Sequence, residues 1–213
     1  MKRFTASIVS TLICVFLPQH LFAAMLPYTD VQPGIWYGKE VQSFVDAKYL
    51  DASQKQFRAG DKALRAEFMK LVVNLNGGIL DELPGQPSFV DVPRDAWFFG
   101  YLEESAREGW TKGDNNCYGS TNCFARPGTP ITRAEAAVLI RRAFGKTRTG
   151  KAPAFSDNLP GEWYTDSVQG AADHCILRGD DGTRNVRPHD LLNRAEMIVM
   201  LYRVDNTGIY PDC

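Results

Sequence analysis

The sequence predicts an all-α protein made of three helix–loop–helix repeats. Three observations predict it. A Trp–aromatic pair recurs as Trp36-Tyr37, Trp97-Phe98 and Trp163-Tyr164, and each pair is followed by an Arg-Ala-Glu at Arg65, Arg133 and Arg194. Apolar residues around both signatures fall at helical spacing, so each helix has a face to bury. The stretches between them are rich in Gly, Pro, Asn and Asp, which are turn formers. Self-similarity at a fixed period indicates a repeat architecture. The tryptophans are 61 and 66 residues apart, and the Trp-to-Arg distances are 29, 36 and 31. These spacings place repeat 1 at 28–73, repeat 2 at 89–144 and repeat 3 at 155–204, with a tail at 205–213.

Repeat 2 shows the pattern most clearly. Asp95 is placed to cap a helix running from Trp97 through Leu102 and Ala106, with Gly109 just past its end. Turn residues follow from Gly113 to Gly128. Thr132 and Glu135 then form a capping box, in which each side chain satisfies a free backbone N–H at the start of the second helix. That helix continues through Val138, Leu139, Ile140 and Phe144 and stops at Gly145. In repeat 3, Trp163 to Ala172 is the first helix, and Asn193 with Glu196 caps the second. Repeat 1 is weaker. Leu64 stands where Thr132 and Asn193 stand, and Ala47-Lys48-Tyr49 replaces the glycine pattern. The segments 74–88 and 145–154 read as linkers. Glu103-Glu104 reads as a solvated face.

Composition bounds the function. Of 213 residues, 44% are hydrophobic and 23% charged, enough for a packed core. A net charge of −1 argues against a general nucleic-acid binder, since nothing offsets the phosphates. No apolar run is long enough to span a bilayer. Two histidines outside the leader, His174 and His189, are too few for a His-rich metal site. The Gly179-Asp180-Asp181-Gly182-Thr183 turn lacks the ligand series of a calcium loop. No cofactor, metal or catalytic constellation is expected, because the carboxylates are isolated from one another in sequence. Three repeats, two linkers and a leader leave little room for a catalytic domain.

The first 24 residues read as a secretory signal peptide. Lys2 and Arg3 precede the apolar run Ile8–Leu17, Pro18 breaks it, and the small residues Ala23-Ala24 offer a cleavage site. The cysteines agree with an oxidising compartment. Cys14 leaves with the leader, and four cysteines remain. Of the three pairings open to them, Cys117–Cys123 and Cys175–Cys213 fit best. The first closes a turn-rich loop in the stretch by which repeat 2 exceeds repeat 3, and the second ties down the chain end. The loop-entropy relation assigns them about 2 and about 4 kcal/mol. A zinc site would need CxxC spacing, which is missing.

The quoted motifs, above all FVDVPRDAWFFGYLEESAREGWTKGD and ITRAEAAVLIRRAF in repeat 2 and FSDNLPGEWYTDSVQGAADHCILRGDDGT in repeat 3, resemble the S-layer homology (SLH) domain family. The resemblance covers nearly the whole chain after the leader. It implies a pseudo-threefold arrangement in which the helices after each Arg-Ala-Glu form a central three-helix bundle. It implies grooves between repeats that bind a cell-wall-linked polysaccharide, typically bearing a pyruvate ketal on an amino sugar. The function expected from it is non-enzymatic anchoring of a secreted protein to the cell envelope. The arginines of the three motifs, Arg65, Arg133 and Arg194, are the implied ligand contacts.

Elementary chemistry fits that expectation. A pyruvate ketal exposes a carboxylate, and a guanidinium matches it with a planar fork of donors. Trp36, Trp97 and Trp163 are candidate platforms for sugar C–H faces, with core packing as the other reading of each. Asp91 and Asp157 are candidate acceptors for sugar hydroxyls, with turn or cap roles as the alternative. Gly113 and Gly179, which bound the turns, complete the candidate set. On this reading Arg133→Ala weakens binding with little loss of helicity. The alternative function is a small structural subunit that self-assembles through its repeats, with other surface-layer proteins as partners.

Overall fold

The computed structural model describes residues 26–80 and 83–206. The leader, the tail beyond residue 206 and Cys213 lie outside the described residues. Six α-helices form among those described: α1 (Gly38–Asp46), α2 (Arg65–Leu75), α3 (Phe99–Arg107), α4 (Arg133–Phe144), α5 (Thr165–Asp173) and α6 (Arg194–Asp205). One 3₁₀ turn, Asp114–Asn116, precedes the disulfide loop. The protein is all-α, as the sequence predicts, and none of these helices is long and apolar enough to cross a membrane.

The even-numbered helices carry the core. α6 buries Ala195, Val204 and every residue from Met197 to Tyr202, and α2 buries Phe68, Met69, Leu71, Val72 and Val73. A helix apolar on nearly all sides belongs in the interior. Each packs against an odd-numbered helix: α2 on α3, α4 on α5, and α6 back on α1. The contacts therefore run around a closed cycle.

The starts of the three core helices are stitched by a second cycle. Ala63 N–H donates to Leu192 O at 2.9 Å, Leu192 N–H to Ile131 O at 3.0 Å, and Ile131 N–H to Ala63 O at 2.9 Å. Helix starts have N–H groups without an intrahelical partner. Here they find one in another repeat: Arg65 N–H donates to Thr129 O, Arg133 N–H to Asp190 O and Arg194 N–H to Asp61 O. Both expected capping boxes form, with the Glu135 and Glu196 N–H groups donating to Thr132 Oγ1 and Asn193 Oδ1. In repeat 1 half the box survives. Leu64 has no acceptor, but its N–H still donates to the Glu67 carboxylate at 3.0 Å.

The odd-numbered helices begin later than the sequence predicts. α3 starts at Phe99 and α5 at Thr165, two residues beyond the tryptophan, and no side chain caps either start. Asp95 therefore does not cap α3. Their ends agree across repeats: Gly109, Lys48 and Cys175 all adopt positive φ. The left-handed turn thus survives in repeat 1 without its glycine. Glu103 and Glu104 are buried, not solvated: Glu103 accepts the Ser88 N–H at 2.8 Å and Glu104 pairs with Arg107 at 2.6 Å.

The Cys117–Cys123 disulfide is present, and residues 118–122 are exposed around it, as a loop tip should be. Cys175 is also disulfide-bonded. The segment 145–154 is no loose linker. The buried Asp173 carboxylate accepts the N–H groups of Thr149, Gly150 and Ala152 and pins it to α5.

Candidate functional site

The three arginines all sit at seams between repeats, but they are engaged there. Each Nε donates to a carbonyl of the neighbouring repeat: Arg65 to Ala125 O at 3.0 Å, Arg133 to Val186 O at 2.7 Å, Arg194 to Phe57 O at 2.9 Å. Each also faces the capping glutamate of the next core helix: Arg65 with Glu135 at 3.2 Å, Arg133 with Glu196 at 3.8 Å, and Arg194 with Glu67. Arg133 further donates to Arg178 O at 3.0 Å. Burial lowers the Arg133 pKa, with the Glu196 carboxylate opposing that effect. Capping leaves the arginine unassigned, and the structure uses it to fasten one repeat to the next. A ligand carboxylate meets these guanidinium groups as ion pairs rather than as open forks.

The aspartates are likewise committed. Asp91 accepts the N–H groups of Ala125 and Arg126, and Asp157 those of Val186 and Arg187. Asp30 does the same for Phe57 and Arg58. Each carboxylate braces the loop that enters a core helix, in place of the sugar-hydroxyl contact expected for Asp91 and Asp157. For Asp30, burial raises the pKa, but the two N–H donors and the Arg194 charge outweigh it and hold the value below the usual carboxylate range. The candidate glycines also have packing reasons. A Cβ on Gly113, whose φ is positive, would overlap both disulfide sulfurs, and one on Gly179 would crowd Phe155 and Arg184.

The tryptophans go the other way. Trp36, Trp97 and Trp163 are 59%, 56% and 61% exposed, so core packing is not their role. Each immediately precedes an odd-numbered helix, and the following aromatic turns inward while the indole stays out. Tyr37, Phe98 and Tyr164 meet the indoles edge-on at 5.2, 5.4 and 5.3 Å and fix their orientation.

Two cavities bring tryptophan and arginine together. One, of about 460 Å³, combines Trp97 of repeat 2 and Arg194 of repeat 3 with Tyr28, Tyr49, Asp51 and Lys70 of repeat 1. The other, of about 110 Å³, combines Trp36 of repeat 1 and Arg133 of repeat 2 with Leu177, Arg178, Val199 and Arg203 of repeat 3. Each is built by all three repeats in the same order. Asp51, Lys70, Arg178 and Arg203 were not among the sequence candidates. Register could have found Asp51 and Arg178, because each lies three residues after the left-handed residue of its repeat, Lys48 or Cys175. Among the described residues no cluster of His, Cys, Asp and Glu could hold a metal ion.

No protein-family model matches the chain. It is similar to the Surface-layer 125 kDa protein of Lysinibacillus sphaericus, 27% identical over 216 residues, which is 99% of this chain and 17% of that protein. It is similar to the S-layer protein sap of Bacillus anthracis, 27% identical over 55% of this chain and 14% of that one. A third likeness is to the amylopullulanase of Thermoanaerobacterium thermosulfurigenes, 32% identical over 40% of this chain and 4% of the enzyme. The chain spans less than a fifth of the length of each of these relatives. Its relatives are thus surface-layer proteins and glycoside hydrolases, and they indicate a role at the surface layer or cell envelope.

Proposed function

We propose that the protein is a non-enzymatic envelope-anchoring module that binds an acidic, pyruvylated cell-wall polysaccharide in the grooves between its repeats. The observation that carries this is an exposed, oriented tryptophan facing a seam arginine, in two cavities each assembled from all three repeats. Indole faces suit sugar C–H surfaces, and the cavity linings carry more cations than carboxylates although the chain as a whole is slightly acidic. The closed cycles of helix contacts and of backbone hydrogen bonds support a pseudo-threefold arrangement around α2, α4 and α6. The same rotation would place Trp163 opposite Arg65 in a third groove. Similarity to small fractions of both surface-layer proteins and glycoside hydrolases is what a shared attachment module would give.

The test is co-sedimentation of the secreted protein with purified cell-wall sacculi before and after removal of the pyruvate ketals. Loss of retention after removal is expected, and unchanged retention contradicts the ligand chemistry. A second reading, a self-assembling surface-layer subunit, is favoured by the surface-layer relative aligned with 99% of the chain. Light scattering separates the two, since large ordered assemblies without wall polymer would favour the subunit.

A further inference from the structure

The two grooves occupy equivalent places yet offer different chemistry, and the difference deepens the reading above, on which this inference rests. At the position three residues past the left-handed turn, the Trp97 groove presents Asp51 and the Trp36 groove presents Arg178. At the matching place on the core helix, the first has Lys70 and the second Val199.

In the Trp97 groove the positive charge is largely answered. Arg194 pairs with Glu67, Arg58 with Asp61 at 3.5 Å, and Lys70 acts on Asp51. The hydroxyl of Ser53 and the amide of Gln54 hold the Asp51 pKa at about 2, so this wall stays anionic at any physiological pH. A second carboxylate brought here would be repelled. What remains is suited to an uncharged sugar: the Trp97 ring, the phenols of Tyr28 and Tyr49, and the amide of Gln56.

The Trp36 groove inverts this. Three arginines, Arg133, Arg178 and Arg203, line it against one carboxylate, Glu196, and the pair with Arg133 is long at 3.8 Å. Ile176, Val199 and Met200 supply apolar surface beside the arginines. A ketal carbon bearing a methyl and a carboxylate has those two surfaces side by side. The cavity is also the smaller, about 110 Å³ against 460 Å³, which suits an appended group better than a whole ring.

We propose that the two grooves divide the glycan between them, the Trp36 groove taking the ketal-bearing, anionic residue through Arg178 and the Trp97 groove taking an uncharged sugar. A polymer alternating the two kinds of residue would then be held in one register.

Titration calorimetry with two probes tests this: the methyl glycoside of an N-acetylhexosamine carrying a pyruvate ketal, and the same glycoside without it. Arg178→Gln is expected to weaken binding of the ketal glycoside about tenfold, the scale of one charge-assisted hydrogen bond, and to leave the plain glycoside unchanged. Arg178 is exposed, and its carbonyl, which Arg133 uses, is retained, so the variant should fold. Asp51→Asn should strengthen the ketal glycoside severalfold, and Trp97→Ala should weaken the plain one. Equal effects of Arg178→Gln on both probes, or none on either, overturn the division. So does failure of both probes to bind the wild-type chain. Retention on sacculi read in parallel keeps the outcomes apart, because retention that persists under those results removes only the division. Absence of retention removes the anchoring reading itself.

Discussion

The seam at the helix starts and the rim of tryptophans make opposite use of residue types. Each repeat places a guanidinium in the interior of the assembly and leaves an indole outside. Arg133 is 8% exposed while Trp97 is 56% exposed, the reverse of what hydropathy alone would assign. The seam accepts buried charge because it supplies partners: two carbonyls and a carboxylate for Arg133. The rim accepts exposed aromatic surface without a visible structural return. Structural cost marks the arginine as part of the architecture, and the tryptophan as surface held available for contact.

The largest expected effect comes from breaking the seam. Arg133→Ala would strand the carbonyls of Val186 and Arg178 and remove the partner of Glu196. The expected loss is about 2–4 kcal/mol, the range for deleting one partner of a buried, hydrogen-bonded charge. Urea denaturation measures it. A loss under about 0.5 kcal/mol, the range of surface substitutions, would return Arg133 to the role of a pure ligand contact.

Asp173 sharpens the comparison, as a second buried charge that fastens chain segments. Burial raises its pKa, but the N–H groups of Thr149, Ala152 and Gly150 outweigh this and hold it below the ordinary carboxylate value. A depressed folded-state pKa means its stabilisation is present above the unfolded value, about pH 4. It is lost as pH falls through the folded one. Asp173→Asn should cost about 2 kcal/mol at neutral pH and remove part of the acid-side slope of stability. An unchanged slope would show that the segment 145–154 is held by other contacts.

A smaller gain is expected where repeat 1 departs from the others. Leu64→Thr supplies the acceptor that Thr132 and Asn193 supply elsewhere, and Glu67 is already in place. Restoring the full box should stabilise the protein by about 0.5–1 kcal/mol in thermal unfolding. Destabilisation would mean that the leucine methyls carry packing which the hydroxyl cannot replace.

Much of this fold was legible in residues that act locally. Thr132 with Glu135, Asn193 with Glu196, and Gly145 as a stop declare themselves because caps and left-handed turns depend on a few neighbouring residues. The odd-numbered helix starts were not legible. The Trp–aromatic pair belongs to the preceding turn, and helical periodicity cannot tell a first turn from a tight loop. Arg65, Arg133 and Arg194 were correctly placed at seams, but their partners lie 45 to 137 residues away. No spacing within one repeat reveals them. Lys48 shows the converse: a non-glycine residue keeps the left-handed turn because the surrounding hydrogen bonds demand it.

The rim supplies the smallest effect on stability and the plainest separation of the two regions. Trp97→Ala removes an indole whose contact with Phe98 is edge-on and which is otherwise largely in water. Its stability cost should be within about 0.5 kcal/mol, as for surface substitutions away from caps and networks. Retention on sacculi should nonetheless fall, in contrast to Asp173→Asn, which should lower stability and leave retention of the folded protein intact. Measured together by denaturation and co-sedimentation, the pair assigns stability to the buried charges and contact to the rim. A Trp97→Ala variant that unfolds easily and still sediments with the wall would reverse that assignment, making the indole a packing residue that merely happens to be exposed.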